Sequence, residues 1–222
     1  MNILHISIVC QPGIDFFIVV CYSRANMKDK MQNIEFKQKL KVYEPKKKVG
    51  LVVVITGNGK GKTTSALGMA LRATGYNMKV CIIQFIKGDM YSGEFDGIKR
   101  LAPNVEIHIT GRGFVGIGVS SYSHEEHRAN AQDAIRLARD KMTSGEFDLI
   151  ILDEINNALK LELVDLSQII ELIDNKPPLL HLVFTGRDAH PDVIKMAHTV
   201  TEMKDVKHAM SQGIEPQKGI DY

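Results

Sequence analysis

From residue 51 onward, short apolar runs alternate with longer segments of helical spacing. Residues 51–56 form a continuous, mostly β-branched run, the pattern of a strand buried on both faces of a parallel sheet. Comparable runs lie at 79–86, 105–109, 148–154 and 179–185, and a further strand is predicted at 199–203. Between them the spacing predicts helices over 62–74 and 94–101. In the first, Leu67, Ala70, Leu71 and Thr74 share one side, and Gly75 is its stop. Ser123 and Glu126 form a capping box that opens another helix, with Ala131, Ile135, Ala138 and Met142 on its apolar face. Two short helices fill 155–174, Pro177-Pro178 turns the chain, and a last helix covers 191–197. Strands and helices in alternation predict an α/β fold of three layers, a mainly parallel sheet flanked by helices.

The first 50 residues do not share this rhythm. Residues 3–20 are mostly apolar, but Pro12-Gly13 and Asp15 interrupt them and no basic start precedes them. A membrane span needs about 20 unbroken apolar residues, so no stable membrane insertion is expected. Residues 1–26 read as a leader, disordered or an upstream start, with Met27 and Met31 as alternative beginnings. Residues 27–49 form a basic arm with Lys37, Lys39, Lys41 and Lys46-Lys47-Lys48. It lacks the interleaved aromatics that stack on nucleic-acid bases, and reads as a solvated arm. Residues 50–222 make one domain.

Composition narrows the class. The chain has 222 residues, 44% of them hydrophobic, and a net charge of +2. That is enough for one well-buried domain, and too balanced to call for a nucleic-acid partner. Its three cysteines, Cys10, Cys21 and Cys81, show no metal-ligand spacing and suit a reducing, cytoplasmic setting.

The chemistry is concentrated at the end of the first of these strands. Gly57-Asn58-Gly59-Lys60-Gly61-Lys62-Thr63-Thr64 joins that strand to a helix, which is the layout of a P-loop. The glycines allow successive N–H groups to turn inward as a phosphate nest, and the helix N-terminus points to the same place. Lys62 supplies a full charge and Thr63 a hydroxyl for a phosphate-bound magnesium ion. A ligand-free glycine turn would not require Lys-Thr-Thr at the helix start. One departure is visible: the general pattern has glycine where this chain has Thr56. Downstream, the strand at 148–154 ends in Asp153-Glu154, where a P-loop protein carries the acid that holds magnesium directly or through water. Arg187 also stands at a strand end, on the side where open parallel sheets bind ligands, and is open to two readings, a nucleotide contact or an ion pair with Asp188. His124 and His127 lie on adjacent helical turns without a third ligand, and read as solvated helix residues.

A P-loop alone does not name a reaction. The wider set of motifs does: Thr-Gly-Asn-Gly-Lys-Gly-Lys-Thr-Thr (56–64), Gln-Phe-Ile-Lys-Gly (84–88), Gly-Phe (113–114), Ile-Leu-Asp-Glu (151–154), Thr-Gly-Arg (185–187), Val-Lys-His (206–208) and Gly-Ile-Asp-Tyr (219–222). In this order they resemble the P-loop corrinoid adenosyltransferases, also called cob(I)yrinic acid a,c-diamide adenosyltransferases, from about residue 50 to Tyr222. The resemblance implies a P-loop NTPase (RecA-like) fold, ATP as co-substrate, Mg2+ or Mn2+ held by Thr63, Asp153 and Glu154, and a reduced corrinoid as acceptor. It makes Thr56 part of the family's own loop. Catalysis would rest on Lys62, Thr63 and Glu154, and nucleotide binding on residues 57–64 with Arg187.

In the implied reaction Co(I) attacks the 5′ carbon of ATP and triphosphate leaves. The metal is itself the nucleophile, so no Ser, Cys or His with a partnered base is required. ATP is then expected to lie with its 5′ carbon, not its γ-phosphate, toward the acceptor. In the family, aromatic residues after the third strand press on the lower corrin face. Phe114 matches the first of them, and Gly116 stands where some relatives carry tryptophan, which leaves Tyr122 as a candidate substitute. A flavoprotein reductant, a homodimer and an N-terminal arm folding over the corrinoid are further implications. Two alternatives stand beside this reading. One is a small-molecule P-loop kinase using Arg112 or Arg187, which would release ADP. The other is an ATP-dependent corrinoid delivery protein, which would form no cobalt–carbon bond.

Overall fold

The structure is a computed structural model that describes residues 5–8, 19–22, 44–86, 91–111 and 122–222. It divides into two compact units, residues 1–47 and 48–222. In the first unit, where the sequence assigned no element, β1 (His5–Ile8) and β2 (Val19–Tyr22) pair antiparallel, with His5 opposite Tyr22.

The second unit contains a six-stranded parallel sheet. Its strands are β3 (Val52–Thr56), β4 (Val80–Gln84), β5 (Val105–Ile109), β6 (Leu149–Asp153), β7 (His181–Thr185) and β8 (Thr199–Glu202). Their spatial order is β5-β4-β6-β7-β3-β8. Among the described residues six helices follow the strands: α1 (Lys62–Thr74), α2 (Glu94–Lys99), α3 (His124–Thr143), α4 (Ile155–Lys160), α5 (Leu166–Asp174) and α6 (Pro191–Met196). A 3-10 turn covers Ala209–Gln212. This is the expected three-layer P-loop arrangement.

Continuous apolar runs become strands here because both sheet faces are covered. Successive side chains alternate between two cores. Val52 and Val54 of β3, Cys81 and Ile83 of β4, Ile150 and Leu152 of β6, and Leu182 and Phe184 of β7 join α3, α5 and α6 in one core. Ile55, Val80, Ile82, Leu149, Ile151 and Val183 join α1 and α2 in the other. A one-residue slip of any central strand would exchange its two sets of side chains between these cores.

Two details differ from the sequence reading. In α1 the buried face is Lys62, Ala66, Ala70 and Ala73, whereas Leu71 is 60% exposed. Alanines let the helix lie close to the sheet. Leu179 is likewise outside β7 and exposed, since the strand begins only at His181.

His181 carries a pH dependence. Its Nδ1 accepts the Leu51 N–H at 3.1 Å, which requires a ring nitrogen without a proton. Burial, and then the neighbouring Lys176 charge, lower its pKa below 6.5, with Asp148 opposing. The native state therefore binds this proton less readily than the unfolded chain. The stability it confers is complete above about pH 6.5 and is lost as pH falls through the lowered native value. Thermal melts at about pH 7.5 and 5.5 should show a larger loss for the wild type than for His181→Asn, whose amide oxygen can still accept from Leu51. Equal losses in the two proteins would remove His181 as the cause.

Candidate active site

Four neighbouring strands end in polar residues, and all four are buried: Thr56 on β3, Gln84 on β4, Asp153 on β6 and Thr185 on β7. Buried polar groups persist when their hydrogen bonds are supplied internally, and here Asp153 organises the supply. Its Oδ1 accepts from the Thr63 hydroxyl at 2.9 Å and from the Thr185 hydroxyl at 2.6 Å. Its Oδ2 accepts from the Gln84 amide at 3.1 Å. Thr185 Oγ1 in turn accepts the Glu154 N–H at 2.9 Å. Three strand ends and the P-loop helix are thus joined through one carboxylate.

The P-loop rises from β3 directly above this floor. Its first half is fastened to the chain leaving β8. The Met203 N–H donates to Thr56 O at 2.7 Å, and the Gly59 N–H donates to Met203 O at 2.6 Å. This contact explains two of the glycines. At Gly57 a Cβ would lie 2.5 Å from Met203 O, and at Gly59 it would lie 2.7 Å from Lys204 O. Gly61 has a different reason: it takes φ 109° at the start of α1, with open space where a Cβ would be. So among the glycines expected to serve the phosphate, Gly59 serves packing, Gly61 serves the turn, and Gly57, which also takes φ 95°, serves both. Thr56, the departure from the general pattern, accepts the Ala189 N–H through its hydroxyl at 3.1 Å. Asn58 is exposed at the loop tip.

Lys62 is 9% exposed, and its Nζ donates to Gly59 O at 2.7 Å. Burial lowers its pKa, Glu154 opposes this, Arg187 reinforces it and Asp153 opposes it. An ammonium held dry among these charges is poised for a multiply charged anion. Glu154 sits in the left-handed region (φ 66°, ψ 17°) between β6 and α4. Such a residue costs about 1–3 kcal/mol and persists where surrounding bonds over-determine it, here the bond to Thr185.

Lys60, Gly61, Lys62, Thr63, Thr64 and Glu154 all line one cavity, of about 530 Å3, a size in the range of small-molecule sites. Leu67, Gly93 and Glu94 complete one side, and residues 219–222 another. Asp153, at 1% exposure, lies beneath Thr63 and does not line the cavity. Arg187 is exposed outside it; its charge reaches Lys62, and its N–H donates to the Asn157 side chain. The ion-pair alternative for Arg187 is replaced: Asp188 pairs with Lys160.

Sequence reasoning passed over Gln84 and Thr185 as site residues. The available signal was a polar residue at the last position of an otherwise apolar strand, repeated on four strands. It also placed His127 in solvent, whereas His127 is 5% exposed, because it begins the inner face that continues at Ala131. His124 is exposed as expected, and its Nε2 bonds to Leu161 O. Phe114, Gly116 and Arg112 lie outside the described residues, and Tyr122 packs edge-on to His127. Cys81, Glu106 and His108 bring three possible metal-ligand atoms within 4.8 Å of one another, a group their spacing did not announce. Lys141 Nζ lies 2.7 Å from Glu106 Oε1, and His108 Nε2 lies 2.8 Å from the same oxygen. Burial and then Glu106 push the Cys81 thiol far above its usual range. This is an ion-pair network with its cation already in place.

No helix among the described residues is long and apolar enough to cross a membrane. Residues 48–222 match the family described as ATP:corrinoid adenosyltransferase BtuR/CobO/CobP. A corrinoid adenosyltransferase of Pseudomonas aeruginosa is 38% identical over 82% of this chain and 88% of its own. A corrinoid adenosyltransferase of Escherichia coli K12 is 32% identical over 87% of this chain and 96% of its own. Among solved structures, a KaiC-like protein of Pyrococcus horikoshii aligns over 72% of this chain and 76% of that one, with 14% identity and a TM-score of 0.40. With 175 consecutive residues matched and the P-loop, acid pair and strand-end network all inside them, this chain belongs to the ATP:corrinoid adenosyltransferase family.

Proposed function

We propose that this protein transfers the 5′-deoxyadenosyl group of ATP to the Co(I) centre of a reduced corrinoid and releases triphosphate. The observation that carries the reading is the cavity itself: Lys62, Thr63 and Glu154 converge on it, and no Ser, Cys or His is among its described lining residues. A site that gathers a fixed ammonium, a hydroxyl and a carboxylate for phosphate and its metal suits a reaction in which the acceptor metal attacks and triphosphate leaves.

Electrons and atoms balance simply. The cobalt lone pair forms a bond to C5′, the C5′–O bond breaks, and its pair leaves on triphosphate. Cobalt passes formally from +1 to +3. The protein's task is to hold the triphosphate, stabilise the charge that grows on its bridging oxygen, and keep C5′ open to the acceptor in a dry site. Lys62, released from Gly59 O, supplies the fixed charge. The Gly61 turn and the first N–H groups of α1 supply donors. The nucleotide is accordingly expected to lie with its ribose toward the corrinoid.

The donors near Thr63 are hydroxyl and carboxylate oxygens, the hard set that suits Mg2+ or Mn2+. Thr63 and Glu154 would hold the ion, while Asp153 orients the Thr63 hydroxyl and reaches the ion through it or through water. When bound, the ion would neutralise phosphate charge. Arg187 is proposed to meet the triphosphate from the mouth of the site, and Phe114 to pack on the corrin. Residues 1–26 as leader, 27–49 as basic arm and 50–222 as catalytic domain complete the proposed organisation, with a flavoprotein reductant, a homodimer and a cytoplasmic location.

The deciding experiment is anaerobic. Protein, ATP, Mg2+ and chemically reduced cob(I)alamin should give a light-sensitive alkyl-cobalt spectrum and stoichiometric triphosphate. ADP as product would instead favour the kinase reading. Tight ATP binding without any cobalt–carbon bond would favour delivery.

A further inference from the structure

The cavity wall formed by residues 219–222, part of a turn that begins at Gln217, is not explained by phosphate binding. It is a compact turn that bonds mainly to itself. The Gly219 N–H donates to Tyr222 O at 2.7 Å, and the Ile220 and Asp221 N–H groups donate to Gln217 O at 3.1 and 2.8 Å. Gly219 takes φ 76°, which a side chain would strain. The Asp221 carboxylate holds the turn in two directions. Its Oδ2 accepts the Gln217 N–H at 2.8 Å, and its Oδ1 pairs with Lys60 Nζ of the P-loop at 3.1 Å. The ion pair crosses roughly 160 residues of sequence to tie this turn to the phosphate loop.

The turn also supplies most of what is apolar around the cavity. Lys60, Lys62, Thr63, Thr64, Glu94 and Glu154 are polar or charged, and the large apolar side chains are Leu67, Ile220 and Tyr222. Ile220 is 71% exposed and Tyr222 45% exposed, so neither is held for the sake of a core. A triphosphate has no use for them. A purine base does, because its flat π-face gains from aromatic and aliphatic contact.

We propose that the 217–222 turn is the nucleoside-binding wall of the site, with Tyr222 and Ile220 receiving the base and the Lys60–Asp221 pair acting as a positioning link between base wall and phosphate loop. This rests on the adenosyltransferase reading and adds which residues separate a nucleotide from bare triphosphate. Fixing the base at one end and the phosphates at the other sets where C5′ stands.

The test compares ATP with inorganic tripolyphosphate, both with Mg2+, by titration calorimetry on the full chain. Tripolyphosphate reads the P-loop alone and serves as the folding control. In the wild type ATP should bind more tightly. Tyr222→Ala and Ile220→Ser should each weaken ATP by about tenfold and leave tripolyphosphate within about twofold. Asp221→Asn should lower the ATP-to-tripolyphosphate affinity ratio by several-fold, whatever the freed Lys60 does for anions in general. An unchanged ratio in the Tyr222 and Ile220 variants overturns the wall, as does an Asp221→Asn protein that binds both ligands more tightly by the same factor. A wild type that binds neither ligand overturns the nucleotide site itself, a separate and visible failure.

Discussion

Lys62→Ala should abolish most adenosyl transfer while leaving the fold intact. Its ammonium is the buried cation of the cavity, and its one described hydrogen bond runs to Gly59 O within the same loop. Removing a preorganised donor from a site of developing negative charge costs about 10^2–10^3 in turnover. A loss of that size, with a raised KM for ATP, is expected in the anaerobic cob(I)alamin assay. Stability should stay the same or rise, because burial already disfavours this charge in the ligand-free protein. Lys62→Arg should not restore activity, since a planar guanidinium cannot replace a point charge in a tight loop. Activity within about tenfold of the wild type would remove Lys62 from the mechanism.

Asp153 gives the second large effect, and there charge and hydrogen bonding can be separated. Asp153→Ala strands the Thr63 and Thr185 hydroxyls and the Gln84 amide, all gathered on one buried carboxylate. The expected cost is about 2–4 kcal/mol in urea unfolding. Asp153→Asn should cost only about 1 kcal/mol. Gln84 Oε1 is buried with no partner, so a half-turn of its amide lets it accept from the new Asn N–H2. The lost charge is not recovered by that turn. Asp153→Asn should therefore stay folded, lose about 10^2 in rate, and need more Mg2+ for half-maximal activity. Equal destabilisation by both substitutions would contradict this division.

The sequence made the architecture legible because a parallel sheet covered on both faces leaves a strong imprint. Apolar runs at 51–56 and 148–154 became β3 and β6 with their chemistry at the ends. Lys62 and Thr63 were legible for a different reason, their place where a glycine loop runs into a helix, and Glu154 was legible as an acid at the end of an apolar strand; all three line the cavity. What stayed hidden was contact across the chain. No local pattern says that Gly57 and Gly59 face Met203 and Lys204, or that Asp221 reaches Lys60. Nor did helical spacing show which side of α1 is buried. Alanine carries little hydrophobic signal, and Leu67 and Leu71 drew the face away from Ala66 and Ala73. Gln84 and Thr185 were visible as letters, but their role exists only once β4, β6 and β7 stand side by side.

The strand that carries the P-loop lies between the last two strands of the chain, with β7 on one edge and β8 on the other. On the ribosome, β3 emerges first and waits for both neighbours. The loop needs Met203 to fix its shape, roughly 140 residues later. At about 5–20 residues per second that delay is roughly 7–30 s, during which an apolar strand has two unpaired edges. The nascent chain thus lacks the fixed phosphate loop until Met203 has been made. A holdase bound near β3 would have to release late.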